Sequence, residues 1–196
     1  MKRLLFPLIA LLLITTTAQA QLFKSRDKKA AKTEYNIGAV PVENKHVVFR
    51  EKIEAPGLSS AQIMERARAW YDKRFVKPTV ISAKVLKEEK NILEAKSEEY
   101  IVFTKKLFVL NRARAYYYLT INSYDGGCEF IMSRISYWHD DENPNGGIRY
   151  TAEELITDEN ALDSNTALKK NEGKFRTKTI DLKNTLVEEL KKEINR

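Results

Sequence analysis

Asp141-Glu-Asn-Pro-Asn145-Gly-Gly-Ile148 sets oxygen-bearing side chains at alternate positions ahead of a glycine. Asp141, Asn143 and Asn145 match the front half of an EF-hand-type calcium loop, where alternating oxygens converge on a hard cation and the glycine permits the sharp turn. Ile148 falls at the usual apolar position. The back half departs from the pattern: the twelfth position is Ala152, Glu153 comes one residue late, Pro144 stiffens the middle, and a strand precedes the loop. Without the bidentate glutamate, calcium affinity is expected to be poor, and an Asn-Pro-Asn-Gly turn is the plainer reading. Calcium is the one cofactor the sequence suggests.

Other chemistry is sparse. His46 and His139 lie far apart and neither has a cysteine companion, so the usual zinc spacings are absent. There is no G-x-S-x-G elbow, no glycine-rich phosphate loop and no signature of a cysteine nucleophile. The pairs Glu88-Glu89, Glu98-Glu99 and Glu153-Glu154 read as solvated charges. Cys128 is the sole cysteine, which excludes an intrachain disulfide; flanked by strand residues it reads as a small buried hydrophobe, with an intermolecular bridge as the other option.

The N-terminus assigns a compartment. Met1-Lys-Arg3 is a positive n-region, Leu4 to Ile14 an apolar run too short to span a bilayer, and Ala18-Gln-Ala20 a small-x-small cleavage site. Residues 1–20 thus read as a cleaved secretory signal, and the mature chain as exported to the periplasm, envelope or exterior. No cysteine follows the run to accept a lipid anchor. Part of the formal charge of +7 leaves with Lys2 and Arg3. Residues 21–44, basic and without apolar period, read as a flexible arm; residues 45–196 read as a single domain.

Within that domain, His46 to Ile53 alternates as a strand with Val47, Phe49 and Ile53 on one side. Ser59 with Gln62 is a capping box, and Leu58 against Ile63 a hydrophobic staple, opening a helix with Ile63, Ala67, Trp70 and Tyr71 on its apolar stripe. Strand patterns follow: Thr79–Lys87 (Ile81, Ala83 and Val85 on one side), Ile92–Lys96, Tyr100–Leu110 (with a short helix as the other option), and a hairpin of 112–124 with 128–138 around Asp125-Gly-Gly127. A short helix is expected around 151–156, irregular chain over 158–178, and a closing helix over 179–195. That helix carries Leu182, Leu186, Leu190 and Ile194 on one face, with Glu188 and Lys192 placed to pair. The order strand, helix, several antiparallel strands, helix defines a two-layer α+β sandwich with helices on one face of a curved sheet.

The leader, the Val47-Val-Phe49 strand entering Leu58-Ser-Ser-Ala-Gln-Ile63, the Arg66-Ala-Arg-Ala-Trp-Tyr71 helix and the hairpin ending in Ser136-Tyr-Trp138 together resemble a Bacteroidetes family of exported proteins of unknown function with a TBP-like fold. The resemblance covers about residues 45 to 138. It implies a TBP-like sheet with helices on its outer side and implies no activity; DNA binding by TBP does not transfer by fold analogy.

With a two-residue turn, one hairpin face collects Tyr117, Leu119 and Ile121 with Phe130, Met132 and Trp138, and is expected to be core. The other collects Tyr116, Tyr118 and Thr120 with Glu129, Ile131, Ser133 and Ile135, and has no obvious helix to cover it. Either the basic arm, a loop or the Leu155-Ile156 segment covers this face, or Tyr116, Tyr118, Ile131 and Ile135 are the candidate contact residues for an envelope protein, a second copy or a small amphipathic ligand. Nucleic acid is not expected, because Arg114 is the one cation read near this face. A non-enzymatic binding or assembly module is the leading expectation. The alternatives are a small envelope hydrolase using scattered carboxylates, and an apolar-ligand binder gripping its ligand between sheet and C-terminal helix.

Overall fold

The computed structural model describes residues 33–106 and 109–196. The leader and the arm up to residue 32 lie outside the described residues. The fold reaches further back than expected, starting about residue 34. Val40 is buried, and Arg176 donates to the carbonyls of Tyr35 (2.9 Å) and Asn36 (2.6 Å). Residues 34–44 thus belong to the packed domain and not to the arm; main-chain acceptors hold them, and those leave no mark in a side-chain pattern.

β1 (Val42–Glu43) and β2 (His46–Val47) form a ribbon whose two-residue turn, Asn44-Lys45, has positive φ at both positions, as a type I′ turn requires. Val48 interrupts the expected strand, and β3 (Phe49–Glu54) resumes it; Val47, Phe49 and Ile53 are buried, as their spacing predicts. α1 (Ser60–Arg74) is capped as expected: Ser59 Oγ accepts from the Gln62 amide, and the Ser59 amide donates to Gln62 Oε1 at 2.9 Å. Four antiparallel strands follow, β4 (Val80–Glu89), β5 (Ile92–Lys106), β6 (Val109–Tyr124) and β7 (Gly127–His139). β5 runs unbroken where two strands are expected, so Tyr100 to Leu110 is divided between β5 and β6. Then come β8 (Ile148–Thr151), unforeseen in sequence, α2 (Ala152–Leu155), α3 (Asp158–Ala161) and α4 (Glu172–Ile194), which starts before residue 179.

The main sheet has the order β3-β7-β6-β5-β4, with β3 and β8 sharing one edge of β7. Side chains alternate along β6: Ala113, Ala115, Tyr117, Leu119 and Ile121 are buried, while the residues between them are half-buried. Ile63, Ala67 and Trp70 of α1 and Leu186, Leu190 and Ile194 of α4 join the same core, so both helices cover one face. Those side chains are buried in the layer between α4 and the sheet. The Asp125-Gly126 turn packs against the entry of α1: Ala55 N donates to Gly126 O, and Asp125 Oδ1 accepts from Ser60 N. Gly127 is required there, since a Cβ would lie 2.7 Å from Ile53 O.

Two bulges change which residues face the core. In β7, Tyr116 pairs with Ser136 but Tyr118 pairs with Ser133, so Arg134 and Ile135 together oppose Tyr117. Arg134 takes φ 51° to make the bulge. Beyond it the parity reverses. Ile135, expected on the open face, is buried in the core, and Trp138, expected in the core, stands on the open face. In β4 an irregularity between Val80 and Ser82 leaves Ile81 exposed, while Val80 and Val85 pack toward the core.

Candidate sheet-face binding site

The face of the sheet opposite α1 and α4 is built from alternate residues of four strands. β6 contributes Arg112, Arg114, Tyr116 and Tyr118; β7 contributes Ile131, Ser133 and, past the bulge, Trp138. β5 supplies Glu98 and Tyr100 opposite Tyr116 and Arg114, and β8 supplies Arg149 opposite Trp138. Tyr116, Tyr118 and Ile131 are half-buried, held by lateral neighbours.

Arginines and rings order one another across this face. The Arg112 guanidinium lies 3.7 Å from the Tyr100 ring centroid. Trp138 has Arg114 at 4.8 Å and Arg149 at 4.1 Å, and Arg134 lies 5.1 Å from the Tyr118 ring. Each such contact contributes about 0.5–1 kcal/mol at exposed sites. The Tyr116 hydroxyl meets Glu98 and Arg149; burial first, then the Glu98 carboxylate, raise its pKa. Burial works against the charge on Arg114, but its bonds to Asp141 (2.5 Å) and Glu98 (3.2 Å) outweigh it and raise its pKa.

The loop after β7 closes one end of the face. Asp141, the first expected calcium ligand, is almost wholly buried against Arg114. Asn143 donates to Asp140 Oδ2 at 2.8 Å and accepts from the Asn145 amide at 2.9 Å. Trp138 Nε1 donates to Gly146 O at 2.7 Å, and Glu142 pairs with Arg112. Of the three side chains expected to hold calcium, Asp141 is engaged by Arg114 and Asn143 by the turn itself. Among the described residues, no group of three or more His, Cys, Asp or Glu side chains could hold a metal.

Three of the four expected contact residues, Tyr116, Tyr118 and Ile131, come together here; Ile135 does not. Tyr100, Arg112, Trp138 and Arg149 were missed, because their inclusion depends on the bulge, on the unbroken β5 and on β8. The histidines stand apart from the face: His46 lies 3.8 Å from Glu153, and the His139 ring packs near Phe103 and Phe175. Cys128 is fully buried, which removes the intermolecular bridge, and burial pushes its thiol pKa up to about 12.

A curved antiparallel sheet roofed on one side by two helices is the TBP-like α+β class. Residues 49–138 match the model of the domain of unknown function (DUF4468) with TBP-like fold. A crystal structure of a DUF4468 family protein from Bacteroides ovatus superposes with a TM-score of 0.77 at 27% identity, covering 86% of this chain and 97% of that one. A TBP-like protein from Parabacteroides distasonis matches with a TM-score of 0.65 at 20% identity over 79% of this chain and 96% of its own, a likeness of fold. None of the curated proteins matches. Among the described residues, no helix is long and apolar enough to cross a membrane.

Proposed function

We propose that the protein is a non-enzymatic binding or assembly module of the bacterial cell envelope, and that its helix-free sheet face engages a protein partner. One observation carries this reading: Tyr100, Tyr116, Tyr118 and Trp138 lie on one face that no helix among the described residues covers, with arginines stacked on or bonded to them. Tyrosine, tryptophan and arginine dominate binding energy at protein interfaces, and rings already held in place lose little freedom on docking. Carboxylates offset much of the positive charge: Glu142 pairs with Arg112, and Asp141 and Glu98 with Arg114. Such a mixed surface suits a protein better than a polyphosphate backbone, which favours unpaired cations. The leader read over residues 1–20 supports the envelope assignment.

Affinity capture from envelope extract tests the reading, comparing wild type with Tyr116→Ala/Tyr118→Ala. The double variant is expected to lose the captured partner while melting within a few degrees of wild type. Capture that survives in the folded variant would refute the assignment of the face.

A further inference from the structure

Charge on the sheet face opposite α1 and α4 is unevenly matched. Near the loop after β7, Arg112 is held by Glu142, and Arg114 by Asp141 and Glu98. Around Tyr118 the cations lack such partners. The register sets Lys84 of β4 opposite Lys96 of β5, Lys96 opposite Tyr118 of β6, and Tyr118 opposite Ser133 of β7. Directly opposed residues share a face of the sheet, so both lysines stand on the same side as Tyr118. Arg134, the bulge residue after Ser133, holds its guanidinium 5.1 Å from the Tyr118 ring centroid. Lys84, Lys96 and Arg134 are exposed, and among the described residues none has a carboxylate within ion-pair reach.

Like charges directly opposite each other across two strands are destabilising. A carboxylate brought from outside would relieve the Lys84–Lys96 pair. The row Lys84, Lys96, Tyr118, Arg134 crosses four neighbouring strands, hence about 15 Å at three interstrand spacings of about 4.8 Å. Extended chain covers that distance in about five residues. Glu94 and Glu98 lie on the same face, one to either side of Lys96. They repel an unbroken row of phosphates, whereas carboxylates set at intervals along a peptide pass between them. A second copy of the face would bring the same cations into opposition.

We propose that this face recognises an extended acidic segment of a protein partner, about five residues long. Acidic side chains at one end of the segment meet Lys84 and Lys96, one at the other end meets Arg134, and the middle lies on the Tyr118 ring. The inference rests on the sheet-face reading above and adds the chemistry of the partner.

Fluorescence anisotropy with two labelled peptides tests it, one alternating aspartate with tyrosine, the other with asparagine in place of aspartate. The acidic peptide is expected to bind saturably and at least tenfold more tightly than its asparagine counterpart, by a margin that shrinks with added salt. Lys84→Gln/Lys96→Gln/Arg134→Gln changes only exposed side chains; it is expected to melt no lower than wild type and to weaken the acidic peptide about tenfold. Equal binding of the two peptides, or an affinity unchanged in the triple variant, overturns the proposal. Oligothymidylate that binds wild type as tightly as the acidic peptide marks a general polyanion site and overturns it as well. Capture from envelope extract separates this inference from the reading beneath it. A partner lost from both the triple variant and Tyr116→Ala/Tyr118→Ala supports the acidic segment. A partner lost only from the tyrosine variant leaves the face and removes the acidic segment, and one kept by both removes the face itself.

Discussion

Arg134 holds a left-handed backbone inside a strand, a conformation that costs a non-glycine residue about 1–2 kcal/mol. The bulge it makes decides the surroundings of every later residue of β7. Ile131 and Ile135, four residues apart, would share a face in a regular strand, yet one is half-buried on the open face and the other is 2% exposed in the core. Ile135→Ala is therefore expected to cost about 2–4 kcal/mol and Ile131→Ala about 1 kcal/mol or less, read by denaturant unfolding. Equal costs would mean that the bulge is absent. Cys128 offers a second test. Burial raises its thiol pKa to about 12, so at pH 8 the thiolate is a minute fraction and the sulfur is shielded. A thiol reagent at pH 8 is expected to leave the native protein unmodified and to react promptly once it is unfolded. Rapid native labelling would contradict the packing of β3 on β7.

Elements with local signals were readable from sequence alone. Ser59 and Gln62 announce α1, Asp125-Gly-Gly127 announces the central hairpin, and the four-residue recurrence of Leu182, Leu186, Leu190 and Ile194 announces the second half of α4. Elements fixed by distant partners were not. β8 is four residues paired to β7, and the first turns of α4 look polar because their anchor is an arginine. Arg176 is fully buried and donates to Tyr35 O, Asn36 O, Ile156 O and Asp158 Oδ1, three of them main-chain acceptors. Nothing in its sequence neighbourhood distinguishes it from a solvated cation. Arg176→Met leaves those acceptors without donors, and a loss of about 3–5 kcal/mol is expected. Hydrogen exchange is expected to show residues 34–44 opening first; protection unchanged in that segment would mean that Arg176 does not tether it.

At the scale of the molecule, α1 and α4 roof one face of the sheet, and the second face carries rings and arginines. Strand alternation identified Tyr116, Tyr118 and Ile131 of that second face. The arginine–aromatic stack at its other end needed four strands and a bulge in register, which no single segment encodes. Site-specific photocrosslinking in cells tests the account most directly, with a benzophenone side chain at Tyr118 compared with Thr185, an exposed position on α4. The account predicts a discrete adduct of higher mass from Tyr118, removed by Arg114→Ala and Trp138→Ala, and none from Thr185. An adduct from Thr185 with none from Tyr118 would contradict it.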